Sequence, residues 1–373
     1  MEVPELFNPL RVSSKFALCG LPLTVDSYRS CAFGCRYCFA NYRKIMGQTG
    51  TLKIADVEWL RRKLAKVYDE KSVSGKDFLE MLLRERITWH WGGLSDPFQP
   101  IEKELGITEK MLKLTNRYDV SVLFSTKSDN VYCWDSLNPS LHAFQLSITN
   151  VSNRTDLEPN VPPIDQRKAF FRRLKDRGFK VGVRIQPFIP KVSGRDVVDA
   201  FRDADYFTIE GLKLVPQNKE QRCFLLNLIG LQPSDFIQTG LLNMKPHIRL
   251  RLYRETISAL EEYGLPYSLA DNDLHHVSKS KCCCGEPLVK KSTDFNNTAL
   301  FYKKGDHSFE DIESALGPFA GCVANYLFAS NRQNDGVTVR ELMKKRGQRE
   351  SSPFSKKFLY GFRAQGQSSL ECD

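Results

Sequence analysis

The stretch Ser30-Cys31-Ala32-Phe33-Gly34-Cys35-Arg36-Tyr37-Cys38-Phe39 sets three cysteines at CxxxCxxC spacing, directly after Leu21 to Tyr28, which alternates as a strand does. Thiolates this close in sequence read as a soft-metal site, because thiolate is the ligand of zinc and of iron–sulfur clusters. Structural zinc and electron-carrying clusters usually take four protein ligands. Here the local set stops at three, since the next cysteine is Cys133, and one metal position is expected to stay open. The plainer readings are a zinc knuckle completed by a distant Cys or His, or three unrelated buried thiols.

Outward from the motif, Ala55 to Glu70 carries Val57, Leu60, Leu64 and Val67 at helical spacing. Ile87 to Gly93 then reads as a strand ending in two glycines, followed by the loop Leu94 to Pro100 and a helix from Thr108 to about Arg117. Strands are expected at Val120 to Ser125, Ala143 to Ile148, Lys180 to Gln186 and Asp205 to Glu210, with helices at Asp165 to Arg177 and Gly194 to Arg202. Strands alternating with helices predict parallel βα units. Six such strands predict an α/β fold, a partial (β/α)6 barrel whose chemistry lies on loops at the strands' C-terminal ends, where the cysteines fall. Beyond Lys213, helices are expected over Lys219 to Ile229 and His247 to Tyr263, with a possible further strand at Leu265 to Asp271. The expected units are an arm (1–18), the barrel (19–274), a Cys-rich extension (275–330) and a basic tail (331–373).

CxxxCxxC with an aromatic residue, Tyr37, just before the last cysteine resembles the radical-SAM signature. The blocks SYRSCAFGCRYCFA, WGGLSDPFQPIEKELGIT, STKSDNV and FQLSIT follow in that order over about residues 20 to 190. Together they resemble the radical-SAM branch that contains spore photoproduct lyase and its SplB-like relatives, often labelled DNA repair photolyases. The resemblance implies a 4Fe-4S cluster on Cys31, Cys35 and Cys38 whose open iron is chelated by S-adenosylmethionine (SAM). An external one-electron donor such as flavodoxin or ferredoxin would reduce it, and SAM would split to a 5'-deoxyadenosyl radical that abstracts hydrogen from a substrate.

The resemblance also implies roles for single residues. Tyr37 and Phe39 would flank the cluster and contact SAM, Ser95 and Asp96 match a SAM-binding Ser-Asp pair, Lys127 would reach the SAM carboxylate, and Ser147 matches a serine on the next strand. Arg184, or the turn Pro187 to Pro190, would touch adenosine. Read from the residues themselves, Gly92 and Gly93 permit close backbone approach, and Asp96 and Lys127 offer opposite charges to a zwitterion. A loop Asp before Pro is equally an ordinary turn former. The lyase carries a hydrogen-returning cysteine where Gly93 stands here, so fold and cofactor carry over more safely than substrate.

Cys282, Cys283 and Cys284, with Cys322 and one of His275, His276 or Cys223, are candidates for a second iron–sulfur cluster or a zinc site. Alternatively, one of these thiols donates the hydrogen missing at Gly93, or the turn is thiol-rich without a metal. His90 and His142 read as core or rim histidines. The helix QRKAFFRRLKDRG points Phe170, Phe171 and Leu174 inward and leaves a solvated basic face.

With 373 residues and 41% hydrophobic content the chain can build a sizeable core. Its net charge of +10 favours an acidic partner such as nucleic acid, although excess charge also serves solubility. Eleven clustered cysteines do not suggest a disulfide framework. The start MEVPELFNPL lacks a secretory pattern, and no run approaches the roughly 18 apolar residues of a membrane span. A cytoplasmic enzyme acting on nucleic acid is the expectation; a radical-SAM modifier of a peptide or small metabolite, and a zinc-stabilised nucleic-acid-binding protein without catalysis, are the alternatives.

Overall fold

The computed structural model describes residues 4–13, 19–40, 52–72, 77–271, 273–274, 277–278, 284–285, 288–293 and 317–319. Cys282, Cys283, Cys322, His275, His276 and the basic tail lie outside them. The elements run β1 (Glu5–Phe7), β2 (Leu10–Val12), β3 (Leu23–Val25), β4 (Lys53–Ala55), α1 (Val57–Tyr68), α2 (Phe78–Arg84), β5 (Trp89–Trp91), α3 (Glu102–Leu105), α4 (Ile107–Arg117), β6 (Val122–Thr126) and β7 (His142–Ser147). They continue with α5 (Ile164–Asp176), β8 (Lys180–Phe188), α6 (Arg195–Ala200), β9 (Tyr206–Gly211), β10 (Lys213–Leu214), α7 (Lys219–Ile229), β11 (Phe236–Thr239), β12 (Leu241–Met244), α8 (Pro246–Glu262) and β13 (Tyr267–Leu269).

The main sheet has eight strands in the order β13-β9-β8-β7-β6-β5-β3-β2. Every neighbouring pair is parallel except β2 with β3. Parallel strands in consecutive order fit an incomplete barrel, and all six expected strands take part; helices join them except between β6 and β7, where only a 3-10 turn (Trp134–Ser136) lies. The possible strand near Leu265 is the seventh, β13. Residues 4–13, expected as an arm, instead supply β1 and β2. β1 pairs with β4, and β2 closes one edge of the main sheet.

The helices form where apolar spacing predicts them. Asp56 caps α1 by accepting Trp59 N–H, and Leu60, Leu64 and Val67 are buried. On α5, Phe170, Phe171 and Leu174 are buried as expected. Aromatic residues fill the layer between sheet and helices: the rings of Phe124 and Phe144 lie 5.3 Å apart, and Phe98 and Trp91 pack on Phe124. A three-stranded antiparallel unit, β10-β12-β11, was not foreseen.

The opposite, N-terminal end of the strands is covered by chain from far downstream. Cys284 and Leu288 pack among Leu21, Leu123, Ala143 and Tyr206. Thr293 N–H donates to Gly20 O at 2.8 Å, and Thr88 N–H donates to Lys291 O at 2.9 Å. Gln145 Nε2 donates to Cys284 O at 3.1 Å. Cys284 is therefore part of the barrel's apolar base. No helix among the described residues is long and apolar enough to cross a membrane.

Candidate active site

Because the strands run in parallel, their C-terminal ends gather residues distant in sequence around one cavity. Its lining includes Cys31, Cys35, Tyr37, Cys38 and Phe39 after β3, and Gly92, Gly93, Ser95 and Asp96 after β5. Lys127 follows β6, Ser147 ends β7, and Arg184 lies on β8. All twelve residues singled out in the barrel thus face one space. Cys284 is not among the lining residues.

The cysteine loop is held by polar side chains from several directions. Gln99 accepts Ala32 N–H at 2.8 Å and donates to Ser30 O at 2.9 Å. Asn160 Nδ2 donates to Ala32 O, and Gln221 Nε2 to Arg36 O, each at 2.9 Å. Gly34 supplies the positive φ of 61° that turns the chain between Cys31 and Cys35. Burial pushes the Cys31 and Cys35 thiols up to about 12, so metal binding must displace protons from them. Among the described residues no three His, Cys, Asp or Glu side chains converge on one metal-ion position. Cys31, Cys35 and Cys38 nevertheless line the same cavity, and thiolates of this kind serve as ligands of zinc and of iron–sulfur clusters alike.

The loop after β5 is built from hydrogen bonds that employ its own candidate ligands. Gly92 has φ +99°, and a Cβ there would lie 2.4 Å from Ser125 O, so only glycine fits. Ser95 Oγ donates to Tyr28 O at 2.6 Å. The Asp96 carboxylate accepts from Phe98 N–H, Thr126 Oγ1 and Lys127 N–H at 2.9, 2.8 and 2.6 Å. The carboxylate expected to face a guest ammonium thus also shapes the cavity wall.

Lys127 is likewise engaged. Its Nζ donates to Glu158 Oε1 at 2.8 Å and makes longer contacts to Ser147 O (3.3 Å) and Thr149 Oγ1 (3.5 Å). Tyr37 Oη donates to the same Glu158 oxygen. Burial alone would raise the Glu158 pKa, but Lys127 and Arg167 outweigh it and hold the carboxyl below its ordinary value. Deeper in the barrel, His90 Nε2 lies 2.8 Å from Ser125 Oγ, and Arg184 reaches Gln186, His90 and Gln145. Glu210 and Lys213 form an ion pair at the rim.

Sequence reading missed Glu158, Gln99, Thr126, Glu210 and Lys213. His90, expected as a core or rim histidine, is buried and hydrogen-bonded to Ser125, and it also lines the cavity. The signal that could have revealed Glu158 was faint: it is one of two carboxylates in TDLEPN, a segment rich in turn formers.

No family model matches the chain. An uncharacterised protein of Methanocaldococcus jannaschii is 25% identical over 180 residues, which cover 46% of this chain and 62% of that relative. The chain thus spans less than two thirds of that relative's length. Among solved structures, spore photoproduct lyase complexed with dinucleoside spore photoproduct superposes with a TM-score of 0.50 at 14% identity, covering 67% of this chain and 76% of that one. A mutant of the same lyase, with bound AdoMet and dinucleoside spore photoproduct, gives 0.50 at 15% identity over 71% and 81% of the two chains. At these identities the likeness is one of fold: this chain has the fold of spore photoproduct lyase.

Proposed function

We propose that the protein is a radical-SAM enzyme in which Cys31, Cys35 and Cys38 hold a 4Fe-4S cluster beside a SAM-binding cavity. The observation that carries this reading is the convergence of three thiols with Asp96, Lys127, Ser147 and Arg184 on one cavity at the strand ends. A cluster held by these cysteines would supply, once reduced, the one-electron chemistry that cleaves a carbon–sulfur bond of SAM. The protein's own share is to fix the cysteine loop through Gln99 and Asn160, to present Lys127 to a carboxylate, and to line the reacting space with Tyr37 and Phe39. An external reductant such as flavodoxin or ferredoxin supplies the electron.

The substrate we propose is a nucleic acid or a component of one, in repair or base modification. Support comes from the motif resemblance, from the net charge of +10, and from the dinucleoside photoproduct bound by lyase of the same fold. Gly93 lines the cavity with open space where a side chain would stand, so thymine-dimer reversal through a thiol at that position is not proposed.

The test is anaerobic reconstitution with iron and sulfide, then iron counting, EPR of the dithionite-reduced protein with and without SAM, and chromatography for 5'-deoxyadenosine. About four irons, a signal perturbed by SAM, and nucleoside formation abolished in Cys35→Ala are expected. Failure to assemble a cluster would remove the reading. Binding of DNA or RNA that weakens with salt tests the substrate class.

A further inference from the structure

Glu158 gathers three groups from three different parts of the chain. It accepts Tyr37 Oη from the cysteine loop and Lys127 Nζ from the end of β6, and faces Arg167 NH1 of α5 at 3.8 Å. The side chains of Glu158 and Arg167 are 7% and 3% exposed and that of Lys127 is 14% exposed, so water offers these charges little alternative partnership. The segment carrying Glu158 is tied to the cysteine loop by its backbone as well, Arg36 N–H donating to Leu157 O at 2.9 Å.

An ammonium has three N–H donors. One donor of Lys127 is committed to Glu158 at 2.8 Å; its contacts to Ser147 O and Thr149 Oγ1, at 3.3 and 3.5 Å, are long. The ammonium is therefore firmly anchored to Glu158 and only loosely held by its other two contacts, while Lys127 itself lines the cavity beside the thiols. Its charge suits a guest carboxylate there. A flexible four-carbon stem does not hold an ammonium in such a place by itself, because the side chain loses much rotamer entropy when fixed.

We propose that Glu158 is a positioning residue: it pins Lys127 Nζ and Tyr37 Oη against the cysteine loop so that the ammonium can exchange its long contacts to Ser147 O and Thr149 Oγ1 for the carboxylate of an incoming cofactor. This rests on SAM being that cofactor, as proposed above. Glu158 itself acts through Lys127 and does not touch the guest.

The experiment measures equilibrium dialysis of two ligands on the reconstituted full chain. SAM carries the amino acid carboxylate; 5'-methylthioadenosine keeps the adenosyl part and lacks it. Glu158→Ala is expected to weaken SAM about tenfold, the size of one lost charge-assisted contact, and to leave methylthioadenosine unchanged. Combined with Lys127→Ala it should add little, because both act through the same ammonium. Equal losses for both ligands, no loss for SAM, or additive losses in the double variant would overturn the proposal. Where Glu158→Ala does not fold, Glu158→Gln carries the same comparison, with a SAM-specific loss of several-fold expected and an equal or absent loss overturning it. Failure of the wild-type protein to bind SAM would instead count against the enzyme class, so the two failures are distinguishable.

Discussion

The carboxylate of Asp96, in the loop after β5, accepts the backbone N–H of Lys127 at the end of β6 at 2.6 Å. The same carboxylate takes Thr126 Oγ1 and Phe98 N–H, so it stitches two neighbouring strand ends into one wall. Asp96→Ala leaves these buried donors unpaired and is expected to cost about 3 kcal/mol, read as a lowered urea midpoint. Asp96→Asn, which keeps an acceptor oxygen, should cost less.

Adjacent glycines should behave oppositely. A Cβ on Gly92 meets Ser125 O at 2.4 Å and a backbone at φ +99°, whereas one on Gly93 has no atom within 4 Å. Gly92→Ala should destabilise by about 3 kcal/mol or more. Gly93→Ala should melt like the wild type, and thermal unfolding of the pair checks this.

Leu288 fills the base of the barrel, 5% exposed. Leu288→Ala should lower stability by about 2–4 kcal/mol through the cavity it leaves. Chemical denaturation measures the loss, and an unchanged midpoint would show that the base can collapse around the gap.

His142 on β7 is 2% exposed, and its Nδ1 accepts Asn138 N–H at 3.0 Å. Burial, helped by Lys290, lowers its pKa from 6.5 to about 4. The unfolded chain thus takes up a proton near 6.5 that the folded protein accepts only near 4. Its contribution is complete above the unfolded value and is lost as pH falls between the two, with a depth on the order of 3 kcal/mol. Urea unfolding at about pH 7 and about pH 4.5 should show a smaller loss of stability in His142→Gln than in the wild type.

Periodicity carried most of the fold. The six strands and the principal helices were legible because apolar spacing at α1, α4 and α5 and short β-rich runs each matched what tertiary packing later required. β1, β2 and β4 are three residues long and, unlike the equally short β3 and β5, do not sit within a longer strand-like run of sequence. The site was legible where ligands sit in the cysteine motif or beside strand ends. Glu158 was not, because nothing local distinguishes it from a turn carboxylate. It becomes buried only when residues far upstream fold over it. The occupied state of Asp96 and Lys127 was equally hidden, since sequence shows charges but not their partners.

The cover over the barrel's base has a consequence for the order of synthesis. Gly20 receives its hydrogen bond from Thr293, so the start of the first barrel strand waits for residues made more than two hundred positions later. Until that segment leaves the ribosome, Leu21, Leu123, Ala143 and Tyr206 lack their apolar lid. Such a distant closure comes late in folding because its loop entropy is met only at the end. The growing chain therefore exposes a greasy underside between the synthesis of Tyr206 and that of Leu288, the stage at which aggregation or chaperone capture competes with completion.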